Sequence, residues 1–305
     1  RSFDWKTYNA NLLAKYQLSQ KIDFGVLSNI STNQMDINQH DVTREWNTET
    51  VTDMNSPKPK NFNLSAELFL DWMLDTKGKM VTLTYDYLNN YAKQYERLTS
   101  TLQNMQTTGS SRYRIDAYKM DFTLPLAIAN LETGLHYTHI GNSSDVNIYS
   151  DATGTWQKDL GQSNEFDYTE QTAAAYVSAW RQFSKKFSAK VGLRLEKTWI
   201  EGRQITTNTT NRDNYLYVFP TIHFSWNPSD KAHFGAAYSK GIARPDFQSL
   251  NPFRYYMTPT NYFAGNPYLT PGLTDNVEVN FSNGHGLYAV LYESHQKDAL
   301  GSPTT

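Results

Sequence analysis

The chain has 305 residues, a formal net charge of −2, no cysteine and an aromatic content of 14%. The near-neutral charge gives no electrostatic basis for nucleic-acid binding, and the lack of cysteine excludes disulfides, thiolate metal sites and a cysteine nucleophile. No window approaches eighteen consecutive apolar residues, which excludes a transmembrane helix but allows membrane-crossing strands of about 9–11 residues.

The first predicted hairpin turns at Ser19–Lys21, and the second has the clearer pattern because apolar and polar residues alternate on both of its strands. One face of its first strand carries Phe62, Leu64, Ala66, Leu68, Leu70, Trp72 and Leu74, and the other carries Asn61, Asn63, Ser65, Glu67, Phe69, Asp71 and Met73. The next strand places Val81, Leu83, Tyr85 and Tyr87 against Thr82, Thr84 and Asp86. The intervening Asp75–Lys79 segment predicts a tight turn.

The same unit recurs along the chain, with further turns predicted at Pro125–Asn130, Ser184–Lys186, Asn227–Lys231 and Ser282–Gly286. Six turns predict about twelve antiparallel strands. Pro220 interrupts one of these strands and predicts a bulge or an edge there, because proline cannot donate to the ladder.

The connections between the hairpins are predicted to be long polar loops, at Asp41–Lys60, Glu96–Ser111, Asn142–Glu165 and Arg203–Asp213, and in a proline-rich segment. Short turns at one end and long loops at the other are typical of outer-membrane barrels, whose extracellular loops are the long ones. We therefore predict one all-β domain over residues 1–305, an antiparallel up-and-down transmembrane β-barrel with both termini at the extracellular end. The aromatic residues predicted to form girdles at the membrane interfaces are Trp72, Tyr85, Tyr87, Trp180, Trp199 and Trp226.

The proline-rich segment from Ser239 to Phe281 cannot be regular structure through most of its length, because each of its five prolines removes a backbone donor. Long ordered loops are usually functional. Aromatic rings give flat platforms for sugars and other amphipathic ligands, and arginine adds directional donors. The candidate ligand-binding residues are Arg254, Tyr255, Tyr256, Tyr262 and Phe263. The alternative is that these residues pack the loop against the wall.

The order of motifs in this segment resembles the late-barrel signature of TonB-dependent receptors, within the outer-membrane β-barrel proteins. The residues that carry the resemblance and that we interpret as loop architecture are Arg244, Pro245, Asn251, Pro252, Phe253, Gly265, Asn266 and Pro267. The resemblance implies a barrel of about 22 strands around a plug domain in the outer membrane of a Gram-negative cell. It also implies import of a nutrient such as a glycan, peptide or metal chelate, with the plug and the TonB energy-coupling complex as partners. Outer-membrane lipid and a surface lipoprotein are further candidate partners.

No plug domain, TonB-contacting segment or closing aromatic C-terminal strand is found in the 305 residues, so we expect a fragment of about half a barrel. We expect its strands to form an open arc, without pairing between Phe3–Leu18 and Gly286–Gln296. The alternative function is a non-transporting outer-membrane barrel that acts as a structural anchor or surface-binding protein. A soluble antiparallel binding module is a third reading.

Catalytic chemistry has little support in the sequence. His136 and His139 are three apart and would point to opposite faces of a strand. His223 and His233 have no third ligand nearby, and no Gly-x-Ser-x-Gly elbow occurs. Glu67, Asp71 and Asp86 suit a polar lumen. We therefore expect no enzyme activity, no metal and no cofactor.

Overall fold

The structure is a computed structural model that describes residues 2–45, 48–56, 60–100, 104–151, 154–251, 254–258, 261–266, 268–284 and 286–298. These residues form strands and one short helix, α1 (Phe247–Leu250). The strands are β1 (Ser2–Ser19), β2 (Ile22–Glu45), β3 (Thr48–Ser56), β4 (Lys60–Met73), β5 (Met80–Ser100), β6 (Met105–Pro125), β7 (Asn130–Ser150), β8 (Gln157–Lys158), β9 (Asn164–Ser184), β10 (Phe187–Gln204), β11 (Thr209–Ser229), β12 (Ala232–Ala243), β13 (Arg254–Thr258), β14 (Asn261–Ala264), β15 (Gly272–Ser282) and β16 (Tyr288–Lys297).

Fourteen of the strands form one antiparallel up-and-down sheet, and β13 and β14 form a separate hairpin. Both β3 and β4 pair with β2 and with β5, so they are successive parts of one strand position. The path from β1 to β16 therefore has twelve positions, as predicted. Within the described part of the chain, β1 and β16 lie at opposite ends of this path and do not pair, which confirms the open arc.

Short turns join the strands at one end of the sheet, as the sequence predicted. The turn after β4 shows why its sequence suits it: the Asp75 carboxylate accepts hydrogen bonds from the backbone N–H groups of Lys77 (2.8 Å) and Lys79 (3.1 Å). Gly78 in the same turn has φ +94°, a conformation that favours glycine.

The prediction of long loops at the other end was wrong for four of the five connections. Strands run through most of the segments Asp41–Lys60, Glu96–Ser111, Asn142–Glu165 and Arg203–Asp213. For example, β5 and β6 pair continuously as far as Leu98 opposite Met105. The polar composition of these segments does not prevent pairing, because their backbone groups bond across the ladder, and polar side chains such as Asn142 and Ser144 are buried there.

Pro220 produces no bulge. It lies opposite Leu193 of β10 without a shift in register. On its other side, β11 pairs with β12 only from Thr221 toward the turn, so the edge that was predicted begins at the proline. The missing N–H therefore falls where no neighbouring strand requires it.

The two faces of the sheet differ in chemistry, and the face that carries Leu68 and Trp72 is called the apolar face below. On β4 it runs from Phe62 to Trp72, eleven residues that span about 34 Å of strand, which corresponds to about 24 Å of membrane at a tilt of about 45°. Aromatic residues also lie on this face, and one of them, Tyr85, is opposite Leu68. Tyr85, Tyr118 and Tyr137 form one row, with ring centroids 4.9 and 6.4 Å apart.

Nearer the turns, the apolar face carries a second aromatic row, in which Trp226 lies 5.1 Å from Phe234 and Phe234 lies 4.8 Å from Phe281.

The predicted girdle residue Trp180 is an exception. It lies opposite Lys190 of β10, in the same alternation as Tyr176 and Ser178, and so belongs to the polar face. Its placement with the girdles was wrong because tryptophan near a strand end does not by itself reveal which face it occupies.

Among the described residues, no helix is long and apolar enough to cross a membrane.

On the polar face, Gly25 of β2 lies opposite Phe69 of β4, and the aromatic ring covers the glycine. A Cβ atom at residue 25 would overlap that ring. We expect Gly25→Ala to lower the free energy of unfolding by about 1–3 kcal/mol, because Phe69 must leave its position. Urea titration of the protein folded in detergent measures this. The control is Gly141→Ala, whose added Cβ would meet only His139 at 3.8 Å. Equal losses for both variants would show that the ring contact is not the cause.

Candidate functional site

The proline-rich segment leaves the sheet after Ala243 of β12 and returns at Gly272 of β15. Its first part forms α1, where the Asp246 carboxylate accepts a 2.7 Å hydrogen bond from the backbone N–H of Ser249. The remainder contains the hairpin of β13 and β14. The segment is anchored to the polar face of β9 and β10 by two sets of contacts, one apolar and one charged.

The apolar anchor is Leu250, which packs with Phe166 and Tyr168 of β9. The exposed fractions of these three side chains are 7%, 2% and 4%. Phe166 and Tyr168 are apolar exceptions on the polar face, and Leu250 covers them. Ile200, Phe247 and Leu269 pack around this cluster. Burial of these three large side chains stabilises the contact between the segment and the wall by several kcal/mol.

Asn251, the next residue, is fully buried. Its carbonyl oxygen accepts a hydrogen bond from the backbone N–H of Gly265 (2.9 Å), and its side-chain oxygen accepts one from the Asn164 amide (3.4 Å). Gln204 of β10 donates in turn to the Asn164 side chain. The backbone N–H of Asn266 donates to the carbonyl of Ser249 at 2.7 Å. These bonds tie the two halves of the segment to each other and to the wall.

The charged anchor is Arg244, whose guanidinium donates to the Glu196 carboxylate and lies 3.6 Å from the Glu170 carboxylate. Both carboxylates are buried, with exposed fractions of 8% for Glu170 and 6% for Glu196. Arg194 also donates to Glu196 at 2.9 Å, and the Tyr168 hydroxyl donates to Glu170 at 2.7 Å. Two arginines thus compensate two buried carboxylates.

The surroundings shift the pKa of two of these groups, Arg244 and Tyr168, which lie beyond the apolar band. Burial lowers the pKa of Arg244 below its usual value, although Glu170 opposes this effect. Burial, and then the Glu170 charge, raises the pKa of Tyr168 well above its ordinary value. At neutral pH the tyrosine therefore stays protonated and serves as a donor to Glu170.

A cavity of about 240 Å³ lies between the segment and the strands. Its walls combine aromatic and aliphatic side chains with a polar rim on β11. The lining residues are Phe166, Tyr168, Ile200, Gly202, Asn211, Arg212, Asp213, Leu250, Tyr268 and Leu269. Tyr268 is 79% exposed, so its ring stands at the cavity mouth without packing against the protein. A cavity of this kind suits an amphipathic small molecule or part of a larger one.

The five predicted ligand-binding residues lie on the β13 and β14 hairpin. In the register, Arg254 is opposite Ala264, Tyr255 is opposite Phe263, and Tyr256 is opposite Tyr262. The fold therefore brings their backbones together, and their role in ligand binding stays a prediction. Of the motif residues, Pro252, Phe253 and Pro267 lie outside the described residues.

Sequence reasoning did not single out Phe166, Tyr168, Glu170, Glu196 or Tyr268. One signal was available for the first two, since the polar face of β9 reads Asn164, Phe166, Tyr168, Glu170 and Thr172, and two aromatics interrupt it. An aromatic side chain on a polar face predicts that something covers it.

His136 and His139 lie on opposite faces, as expected from their spacing. His136 is 3.3 Å from Arg194, and His233 is 2.9 Å from Asn227. Among the described residues, no group of three or more histidine, aspartate or glutamate side chains could hold a metal ion.

Comparisons with known structures place the fold. The chain is similar to the copper transporter OprC, with a TM-score of 0.62 and 13% identity over 95% of this chain and 45% of that one. It is also similar to the unliganded ferric citrate transporter FecA, with a TM-score of 0.53 and 12% identity over 93% of this chain and 47% of that one. The alcaligin outer-membrane receptor FauA from Bordetella pertussis gives a TM-score of 0.52 and 12% identity, covering 97% and 50%.

The chain spans about half the length of these solved proteins. At such low identity the likeness shows the fold alone, and it confirms the barrel fold that the proline-rich motif implied. No curated protein matches the sequence. The model of the outer membrane protein beta-barrel family matches residues 72–304, which is most of the chain. The chain belongs to the outer membrane protein beta-barrel family, and the outer membrane is its location.

Proposed function

We propose that this chain forms part of the barrel of a TonB-dependent receptor that imports a nutrient across the outer membrane. Its polar face lines the lumen, and its apolar face contacts lipid. The chain supplies binding and passage and no catalytic step. A plug domain and the TonB energy-coupling complex are the partners that this proposal requires.

The observation that carries the proposal is the position of the proline-rich segment. Leu250, Asn251 and Arg244 hold it on the lumenal side of the wall, beyond the apolar band. A segment anchored there narrows the extracellular mouth and leaves a lined cavity beneath it. A barrel that only anchors other proteins has no need of a recessed binding surface at its mouth.

The lumenal wall is also suited to a folded plug. Several of its charges are paired within the wall, as in Lys119 with Asp86 (2.7 Å) and Lys190 with Glu132 (2.8 Å). A wall with compensated charges can contact a neutral polar surface through hydrogen bonds without a strong attraction that would prevent movement.

We propose that the nutrient is a ligand with a flat apolar surface and polar edges, and the lining of the cavity supports this proposal. Phe166, Tyr168 and Tyr268 provide rings, and Asn211, Arg212 and Asp213 provide donors and acceptors. Glycans, peptides and metal chelates with organic ligands all meet this description.

The test is uptake by cells that produce the full-length protein, supplied with panels of glycans, peptides and ferric chelates. We expect depletion of one class from the medium, which stops when a protonophore removes the proton gradient while binding at the surface persists. Binding without any energy-dependent uptake would contradict transport and would favour the anchor or surface-binding alternative.

A variant at the cavity mouth connects the site to that uptake. Tyr268→Ala should weaken binding of the imported ligand about two- to ten-fold, because a ring contact contributes about 0.5–1.5 kcal/mol. Its exposure means that the variant should fold normally. The control is Leu160→Ala, which is similarly exposed at 73% and does not line the cavity. An unchanged affinity for Tyr268→Ala would remove the cavity from the binding site.

A further inference from the structure

A group of basic residues lies on the lipid-facing side of the wall, where the apolar band ends. Phe62 of β4 is opposite Tyr91 of β5, and Tyr91 is opposite Arg112 of β6. Lys93 follows two residues beyond Tyr91 on the same face. Since the band on β4 extends from Trp72 to Phe62, Lys93 and Arg112 stand at the level of the headgroups in the outer leaflet.

Lys93 and Arg112 share one aromatic ring. The Lys93 ammonium is 5.8 Å, and the Arg112 guanidinium carbon 5.5 Å, from the centroid of Tyr91. Both side chains are exposed. Within the part of the chain that the structure describes, neither makes an ion pair with a carboxylate, whereas the neighbouring Arg114 is paired with Asp116 at 2.7 Å. Two positive charges therefore converge without a compensating anion.

Farther along the same face, about 20 Å of strand from Arg112 and past the Arg114–Asp116 ion pair, lies a hollow of about 670 Å³. Most of its lining consists of lipid-facing side chains of β4 to β7, among them Leu68, Leu83, Tyr118 and Met120. The rings of Tyr85, Tyr118 and Tyr137, which form one row, line the hollow on the lipid side. A cationic pair toward one end of this face and an apolar hollow farther along it match the chemistry of one anionic headgroup on hydrocarbon chains.

We propose that this surface binds a phosphorylated lipid of the outer leaflet, with its phosphate on Lys93 and Arg112 and its acyl chains along the hollow. Guanidinium and ammonium groups are the usual partners of phosphate oxygens, and the ring of Tyr91 keeps the two cations close together. On the same face, the register places Asp145 of β7 and Asp167 of β9 beside this site. Their negative charges repel an anion and so confine it to β5 and β6. This site is independent of the imported ligand.

The test uses the full-length protein extracted from outer membranes in detergent and native mass spectrometry with two probes. These are lipid A that carries two phosphates and the same lipid after enzymatic removal of its phosphates. We expect the phosphorylated lipid to bind at least about ten-fold more tightly. The double variant Lys93→Gln with Arg112→Gln should lose about thirty-fold in affinity for it, since each basic side chain near an anionic lipid surface contributes roughly five-fold.

The matched control is Arg181→Gln. Arg181 also lies over a ring, 5.3 Å from the centroid of Phe183, but at the end of the wall that carries the short turns. It should keep the phosphate preference, as should the charge-preserving variant Lys93→Arg with Arg112→Lys. Equal binding of the two lipids to the unmodified protein would overturn the proposal without reference to any variant. So would a double variant that keeps the preference, or full displacement of the lipid by excess inorganic phosphate.

Discussion

Replacement of Arg244 by alanine is expected to destabilise the protein by about 3–5 kcal/mol, because it leaves buried carboxylates without their cation. Glu170 and Glu196 are both buried, and Arg244 contacts both of them. Arg194 still compensates Glu196 in the variant, so Glu170 bears most of the loss, with only the Tyr168 hydroxyl remaining as its partner. Urea unfolding in detergent micelles measures the effect.

The matched control for this prediction is Arg212→Ala. Arg212 also pairs with a glutamate, Glu201 at 2.8 Å, but the side chains are 72% and 44% exposed. Removal of such a surface pair should cost less than about 1 kcal/mol. Arg244→Lys should fall between the two variants, because it keeps the charge and loses the planar guanidinium. If Arg244→Ala and Arg212→Ala cost the same, the charged anchor does not hold the segment.

Arg244→Ala should also release the proline-rich segment before the sheet unfolds. Leu250 and Asn251 keep their own contacts, so the segment loses one of its two anchors. Limited proteolysis should therefore cut between residues 244 and 271 at lower protease concentration than in the unmodified protein, with the strands still protected.

The sequence predicted the twelve strand positions and their two faces because contact with lipid on one side imposes a strict alternation. Leu64, Leu68 and Trp72 cannot exchange faces with Asn63, Glu67 and Asp71 without placing charge in hydrocarbon. Beyond the membrane that constraint ends. There the polar stretches around residues 105–111 and 143–150 read as loops, although their backbones pair as strands.

The site was less predictable for a geometric reason. The motif placed Arg244 and Asn251 in loop architecture, yet their partners are brought near only by the register of the sheet. Glu196 is 48 residues from Arg244 along the chain, and Asn164 is 87 residues from Asn251. No local pattern encodes such pairs, since each depends on the relative position of several strands.

The second large effect is expected at Leu68, where arginine should cost about 2–4 kcal/mol in assembly because the position faces the centre of the bilayer. Leu68 lies in a row with Val26 and Tyr85, all on the apolar face. Glu67 lies in a row with Leu27 and Asp86 on the lumenal face. Arginine at Glu67 meets water or a plug surface and should cost much less. Heat-modifiable migration in electrophoresis compares the folded fractions of the two variants.

A soluble sheet packed on a core would also be damaged by Leu68→Arg, so accessibility in membranes is the deciding measurement. The chain has no cysteine, which allows Glu67→Cys and Leu68→Cys to be labelled singly without background. A water-soluble maleimide should react with the residue at 67 and spare the one at 68, although Leu68 is 37% exposed when no lipid surrounds it. The exposed fraction alone therefore predicts labelling at 68, and protection there must come from the bilayer. Equal labelling at both positions would mean that this strand does not separate lipid from lumen.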